Sequence, residues 1–236
     1  LLASSGHDVL KFSSSETLTG HVSHNGTGPD NFYTGFVEYK KGSLLAKARN
    51  LVRFFYRYDV LRDLGSCIDE FKPDVAHLHI IYGQLSNSVL KVLKSRNIPV
   101  VMTVHDYRLL CPVSNMLDSN GTICSKCAGK SAISAVLKNC KADIIASTLS
   151  ASESMFRDAF SSYHDYVDHF IFVSAFCYRL HLQYFPEIEG KSSVVNNFAD
   201  FSQLTSNLNR CSVPRKYIYF GRLAKEKGLD TLCQSS

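Results

Sequence analysis

The sequence predicts an α/β protein built on a doubly wound, Rossmann-like parallel sheet. Short apolar runs of strand length alternate along the chain with longer segments whose apolar residues recur at helical spacing. The run Ile98–Val104 is apolar except for Thr103 and rich in Val, which is typical of a strand buried on both faces. With 236 residues, 45% of them hydrophobic, the chain can bury a core of this kind. We expect right-handed crossovers between the parallel strands.

The elements of the first half are justified by local pattern. Gly6 follows a short apolar segment, where a left-handed glycine commonly ends a helix. Apolar residues at helical spacing fill the longest segment, and Pro73 closes it. The predicted elements are the end of a helix at Leu1–Ser5, a strand at Asp8–Phe12, a long loop at Ser13–Lys41 with a short strand near Phe32–Tyr39, and one helix at Ser43–Phe71.

The second half continues the alternation of strands and helices. The predicted elements are strands at Asp74–Ile80, Ile98–Val104, His169–Val173, Ser192–Val195 and Tyr217–Phe220, and helices at Leu85–Ser95, Thr148–Tyr166, Ala175–Phe185 and after Gly221. The polar tract Ser202–Pro214 has the composition of a linker. We therefore expect one domain at 1–200, a linker at 201–214 and the start of a second, truncated Rossmann-like domain at 215–236.

Charge and composition exclude several classes of protein. The net charge of +5 is not confined to one block, and no nucleic-acid-binding motif is present, so we expect no nucleic-acid partner. No segment approaches the ~20 apolar residues that cross a bilayer, and the first residues lack the pattern of a secretory signal. Eight cysteines without such a signal indicate a reducing compartment. We expect a cytoplasmic protein.

A candidate site lies where the central apolar run ends. His105 and Asp106 follow Val104 directly, and ligands of open α/β sheets bind just beyond the carboxyl ends of the strands. A histidine there can hydrogen-bond a hydroxyl or oppose phosphate charge, and Asp106 can orient it. The alternative is a polar loop that solvates the strand end. We assign no chemistry to His77 and His79, which we expect to pack or hydrogen-bond under the helices.

Four cysteines after this strand form a second candidate site. Their spacing is Cys111-x12-Cys124-x2-Cys127-x12-Cys140, with one C-x2-C pair and two flanking thiols. Four thiolates suit a tetrahedral structural Zn²⁺, and such a clip would order a long loop without a core of its own. Unrelated buried thiols or disulfides are the alternatives.

The stretch Leu44–Tyr58 is basic, aromatic and amphipathic. Such a helix is compatible with peripheral contact with an anionic membrane, here the inner face of the cell membrane. A helix packed on the sheet with a solvated basic face explains the same pattern.

Motifs at both ends and in the middle of the chain carry a family resemblance. They are GHDV at Gly6–Val9, KPDVAHLH at Lys72–His79, PVVMTVHD at Pro99–Asp106, VSAFCYRLH and VVNNFAD at Val173–His181 and Val194–Asp200, and KYIYFGRLAKEKGLDTL at Lys216–Leu232. In this order they resemble family 4 glycosyltransferases, retaining enzymes of the GT-B fold. The resemblance covers an almost complete acceptor-side domain without its first strand, and the start of the donor-binding domain.

The resemblance implies a site and an activity. Arg222 and Lys227 match the cations that bind the diphosphate of a nucleotide-sugar donor and stabilise it as the leaving group, so no catalytic metal is implied. Gly221 and Asn197 are expected in the same donor site, although Phe198 replaces the usual glycine after Asn197. His105 matches a histidine at the cleft edge, and a cysteine-bearing insertion after the His-Asp motif occurs in some members.

We expect a hexosyltransferase-type enzyme that moves a sugar, with retention, to a hydroxyl of a glycan or lipid-linked glycan in cell-surface polysaccharide synthesis. The 236 residues alone are expected to be inactive, because the paired glutamates of the family's donor domain are not among them. The alternative is a non-catalytic, zinc-stabilised α/β module that binds a glycan or a partner protein. A further α/β half with paired glutamates beyond Ser236 would distinguish the enzyme from the module.

Overall fold

The computed structural model describes residues 2–22, 30–37, 43–198, 219–221 and 227–234. The chain divides into two compact units, Leu1–Asn197 and Phe198–Ser236. The predicted linker at 201–214 lies outside the described residues and stays a prediction. In the second unit the described structure is the short segment around Gly221 and one helix, Leu229–Gln234 (α8).

The first unit alternates strands and helices through most of its length, as predicted. Its strands are β1 (Leu10–Ser15), β2 (Gly20–Val22), β3 (Asp30–Gly35), β4 (Ala76–His79), β5 (Val100–Val104), β6 (His169–Phe172) and β7 (Ser192–Val194). Its helices are α1 (Leu44–Phe55), α2 (Tyr58–Phe71), α3 (Ser88–Ser95), α4 (Ile133–Leu137), α5 (Ile144–Phe160), α6 (Tyr163–Tyr166) and α7 (Ala175–Tyr184), with 3₁₀ turns at Ala3–Ser5 and Pro186–Lys191.

The described strands form two sheets, which confirms the α/β class with parallel sheets. The larger sheet is entirely parallel in the order β4-β5-β6-β7, and the smaller has the order β1-β3-β2. In the smaller sheet β1 and β3 are parallel, and β2, which the pattern did not predict, pairs antiparallel with β3. Strand β5, which the sequence predicts to be buried on both faces, lies between β4 and β6.

The core of the first unit is formed by the central strands and the helices packed on them. Val100, Met102, Val104, Phe170 and Phe172 of β5 and β6 are all buried. Apolar side chains of α3 complete this cluster, among them Val89, Leu90 and Leu93. Because β5 is buried along nearly its whole length, its C-terminal end is held rigidly where the polar loop begins.

The predicted single helix at Ser43–Phe71 is wrong, since the structure has two helices separated at Tyr56 and Arg57. Arg57 leaves the helical conformation and its side chain is fully buried. Its guanidinium donates to the carbonyl oxygens of Gly35 and Gln84, each at 2.7 Å, and also pairs with Asp59. These long-range acceptors satisfy a buried charge, which helical periodicity cannot reveal.

A second predicted helix, Thr148–Tyr166, is also two elements. Helix α5 begins earlier, because the Asp143 side chain caps it by accepting a hydrogen bond from Ala146 N at 2.9 Å. It ends at Phe160, and α6 follows as a short separate turn. Gly6 has the expected left-handed conformation, with φ of 86°. Of the predicted strand Tyr217–Phe220, the first two residues lie outside the described part, and Tyr219 and Phe220 are coil.

Candidate functional site at the ends of the parallel strands

Two histidines from neighbouring strands meet at the C-terminal edge of the larger sheet. His79 ends β4, and it pairs in register with Thr103, two residues before His105. His79 Nδ1 and His105 Nε2 are 2.8 Å apart, and the two exposed rings have centroids 5.2 Å apart. The sequence predicted a site residue at His105 but none at His79. The signal that could have revealed His79 is the parallel pairing itself, since neighbouring parallel strands end at one edge.

His77 extends this cluster towards the start of β4. Its Nε2 lies 2.7 Å from Thr103 Oγ1, and its ring centroid is 4.4 Å from that of His79. Although both side chains are partly exposed, partial desolvation lowers the pKa of His77, and the His105 ring lowers it further. Partial desolvation likewise lowers the pKa of His79, with added repulsion from His77 and His105. Both rings therefore favour the neutral form at pH 7, and both can donate or accept a hydrogen bond.

Asp106 is held by other partners than His105. One carboxylate oxygen accepts a hydrogen bond from Tyr82 OH, and the other accepts from Arg108 N at 2.9 Å. Burial and the carboxylate of Asp106 raise the pKa of Tyr82, so Tyr82 remains a neutral donor. Among the described residues no hydrogen bond joins Asp106 to His105. These contacts tie the loop after β5 to the loop after β4, while His79 is the side chain bonded to His105.

A buried ion pair lies behind this loop. Arg108 donates to Glu153 of α5 and to the carbonyl of Pro112. Glu153 also accepts from Asn87 Nδ2 at 3.0 Å, at the start of α3. Both charged residues are buried, and Arg157 donates to the Arg108 carbonyl at 3.3 Å. The network joins the site loop to two helices, and sequence spacing did not reveal it because its members are far apart in the chain.

The four predicted metal-ligating cysteines lie around one small cavity. Cys111, Cys124, Cys127 and Cys140 are free thiols, and all four line a cavity of about 10 Å³. Burial raises the pKa of Cys127 to about 11, and the neighbouring thiols add to this effect. As placed, no group of three or more His, Cys, Asp or Glu side chains in the described part of the chain has metal-binding geometry. Four convergent thiols suit zinc by their chemistry, so zinc binding stays a prediction.

The predicted donor-binding residues lie in different parts of the chain. Asn197 is an exposed coil residue at the end of the first unit. Lys227 is exposed and precedes α8, whereas Arg222 lies outside the described residues. Gly221 has φ of 145°, and a Cβ there would lie 2.7 Å from the Tyr219 hydroxyl, so this position favours glycine. These assignments remain predictions.

Helix α1 forms only the first part of the predicted basic amphipathic helix Leu44–Tyr58, since it ends at Phe55 and Tyr58 begins α2. Leu51 and Val52 on it are exposed. Within the residues that the structure describes, none of the helices is both long enough and apolar enough to span a membrane.

One comparison with known proteins gave a match. A protein-family model described as Glycosyltransferase Family 4 matches residues 2–203 of this chain. The histidines, Asp106, the cysteine cavity and Asn197 all lie within the match, while Gly221 and Lys227 lie beyond it. No match was found among curated proteins or among solved structures.

Proposed function

This chain belongs to glycosyltransferase family 4, and from that premise we propose that it binds a nucleotide-diphosphate sugar and a hydroxylated acceptor and transfers the sugar with retention. The proposed acceptor is a glycan or lipid-linked glycan, and the proposed setting is cell-surface polysaccharide synthesis. A cytoplasmic location at the inner face of the cell membrane follows from that setting. The observation that carries the proposal is the histidine cluster at the carboxyl ends of the parallel strands, where open α/β sheets bind ligands.

His105 is the proposed contact to the donor. It is exposed at the C-terminal end of a rigid strand, and no described residue bonds its Nδ1. A neutral imidazole there hydrogen-bonds a sugar hydroxyl, and an imidazolium opposes the charge of a phosphate. Asp106 contributes by holding the loop through Tyr82 and Arg108 N.

Arg222 and Lys227 are the proposed partners of the diphosphate, and Gly221 and Asn197 are the other proposed donor-binding residues. Transfer breaks the bond between the anomeric carbon of the sugar and the diphosphate oxygen, and it forms a bond from that carbon to the acceptor oxygen, which loses its proton. The departing nucleoside diphosphate gains negative charge, which needs stabilisation in the transition state. A guanidinium fork and an ammonium supply that stabilisation as fixed cations. Two cations make a catalytic metal unnecessary for this step.

The cysteine loop is proposed to be structural. It begins four residues after Tyr107 and returns to α5, the helix that carries Glu153. Zn²⁺ held by Cys111, Cys124, Cys127 and Cys140 would cross-link the two ends of the loop. This cross-link would stabilise the neighbouring Arg108–Glu153 ion pair.

Steady-state turnover of full-length protein with UDP- and GDP-sugars tests the proposal. Separate substitutions His105→Ala, Arg222→Ala and Lys227→Ala are each expected to lower kcat by about 10²-fold or more, because each removes a group that stabilises developing charge. Lys94→Ala, on the exposed end of α3, is the matched control for loss of a cation. Wild-type turnover in all three variants would overturn the proposal. Absence of turnover with every donor would favour a non-catalytic binding module.

A further inference from the structure

The contact between His79 and His105 is specific to one nitrogen of each ring. The 2.8 Å distance joins Nδ1 of His79 to Nε2 of His105. Each strand end is fixed by parallel pairing, with His79 in register with Thr103 of β5. His105 lies two residues beyond Thr103, so the sheet register places the two histidines side by side at one edge.

This pairing determines which atom of His105 faces a ligand. With Nε2 occupied by His79, the remaining polar atom of the His105 ring is Nδ1, which has no hydrogen bond among the described residues. If His79 donates, then Nδ1 of His105 carries the proton and is a donor. If His105 donates through Nε2, then Nδ1 is an acceptor. In both cases Nδ1 is the nitrogen of His105 that is available to a ligand.

The surroundings of His79 favour its neutral form, in which it can hydrogen-bond His105. Partial desolvation, His77 and His105 all lower the pKa of His79. The titratable groups that face it are His77 on its own strand and His105 on the neighbouring one. A neutral His79 can accept from a protonated His105 or donate to a neutral one, so it can hold the ring in either state.

We propose that His79 is a positioning residue, which holds Nε2 of His105 so that Nδ1 of His105 contacts the sugar or phosphate of the donor. The identity of the ligand rests on the proposed function, while the ring pairing does not. His77 differs from His79 because its ring nitrogen bonds Thr103 instead of His105.

Nitrogen-15 NMR of histidine-labelled, full-length protein tests the pairing without any substrate. The imidazole nitrogen shifts report which nitrogen carries the proton, and His105→Gln identifies the signals of His105. His79→Ala is expected to change both His105 nitrogen shifts. His79→Asn is expected to preserve them, because its amide nitrogen lies near the position of Nδ1, whereas His79→Gln places the amide near Nε2 and should behave like His79→Ala. His169→Asn is the control, since His169 starts β6 and bonds Ser193.

Activity provides a second and separable readout. His79→Ala is expected to lower kcat/KM roughly 3- to 10-fold, the effect of losing one hydrogen bond, and His79→Asn should restore most of it. Unchanged His105 nitrogen shifts in His79→Ala would overturn the positioning role, whatever the turnover. Full turnover by His105→Ala would instead overturn the donor contact proposed for His105 and leave the ring pairing standing.

Discussion

His181 gives the first unit a pH-dependent stability that the structure allows us to calculate. This residue of α7 is fully buried against the rings of Phe172 and Tyr107. Its Nδ1 donates to the carbonyl of Cys177 at 2.8 Å, so its Nε2 is the acceptor of the neutral ring, and Nε2 has no partner among the described residues. Burial therefore lowers the pKa of His181 from 6.5 to about 4.

The sign and the size of the effect follow from linkage. Between pH 6.5 and pH 4 the unfolded chain protonates His181 while the folded chain does not, so the free energy of unfolding falls as the pH falls. The calculated loss from this residue is about 2 kcal/mol between pH 7 and pH 5 and about 3 kcal/mol by pH 4. As the pH falls below 4 the folded state also binds the proton, so the loss from this residue levels off.

Urea unfolding followed by circular dichroism at pH 7, 6 and 5 measures this effect. We expect His181→Phe, which keeps an aromatic ring without a titratable nitrogen, to lack the pH-dependent loss of about 2 kcal/mol. His77, His79 and His164 also have lowered pKa values, but they contribute equally to wild type and variant, so the difference isolates His181. If the phenylalanine packs poorly, His181→Met provides the same comparison.

Exposed His7 provides the control, and His7→Gln should retain the pH dependence of the wild type. Parallel pH profiles for wild type and both His181 variants, within about 0.5 kcal/mol, would refute the reasoning that burial of this ring controls acid stability.

Two further predictions concern the loop after β5. Glu153→Ala leaves Arg108 buried without its carboxylate and should cost about 3–5 kcal/mol in urea unfolding. Arg62→Ala, which removes an exposed guanidinium from its pair with Asp63, should cost under about 1 kcal/mol. A small loss in Glu153→Ala, similar to this control, would contradict the buried pairing. Full-length protein purified without chelator should contain about one zinc per chain by elemental analysis. Joint Cys124→Ser and Cys127→Ser substitution should abolish zinc binding, whereas Cys67→Ser, away from the cavity, should preserve it. Metal-free protein with four freely reactive thiols would contradict zinc binding.

Much of the architecture was predictable because the information is local. The run Ile98–Val104 is apolar along its length, and a strand buried on both faces needs that composition, so β5 was identified correctly. His169–Phe172 and Ala175–Tyr184 match their predicted strand and helix closely for the same reason. The helix break at Arg57 was missed because its cause is a pair of distant backbone carbonyls, which helical periodicity does not encode.

By itself, the sequence determined the fold class, the position of His105 at a strand end and the spacing of the four cysteines. Apolar periodicity and motif order can be read from the sequence alone, without knowledge of the fold. Only the tertiary structure decided that His79 contacts His105, that Asp106 contacts Tyr82, and that the four thiols face one cavity. Each of these contacts depends on which strands are neighbours and on how loops return to them. His79 and His105 belong to different strand ends, so the register of the sheet, and not the local pattern, brings them together.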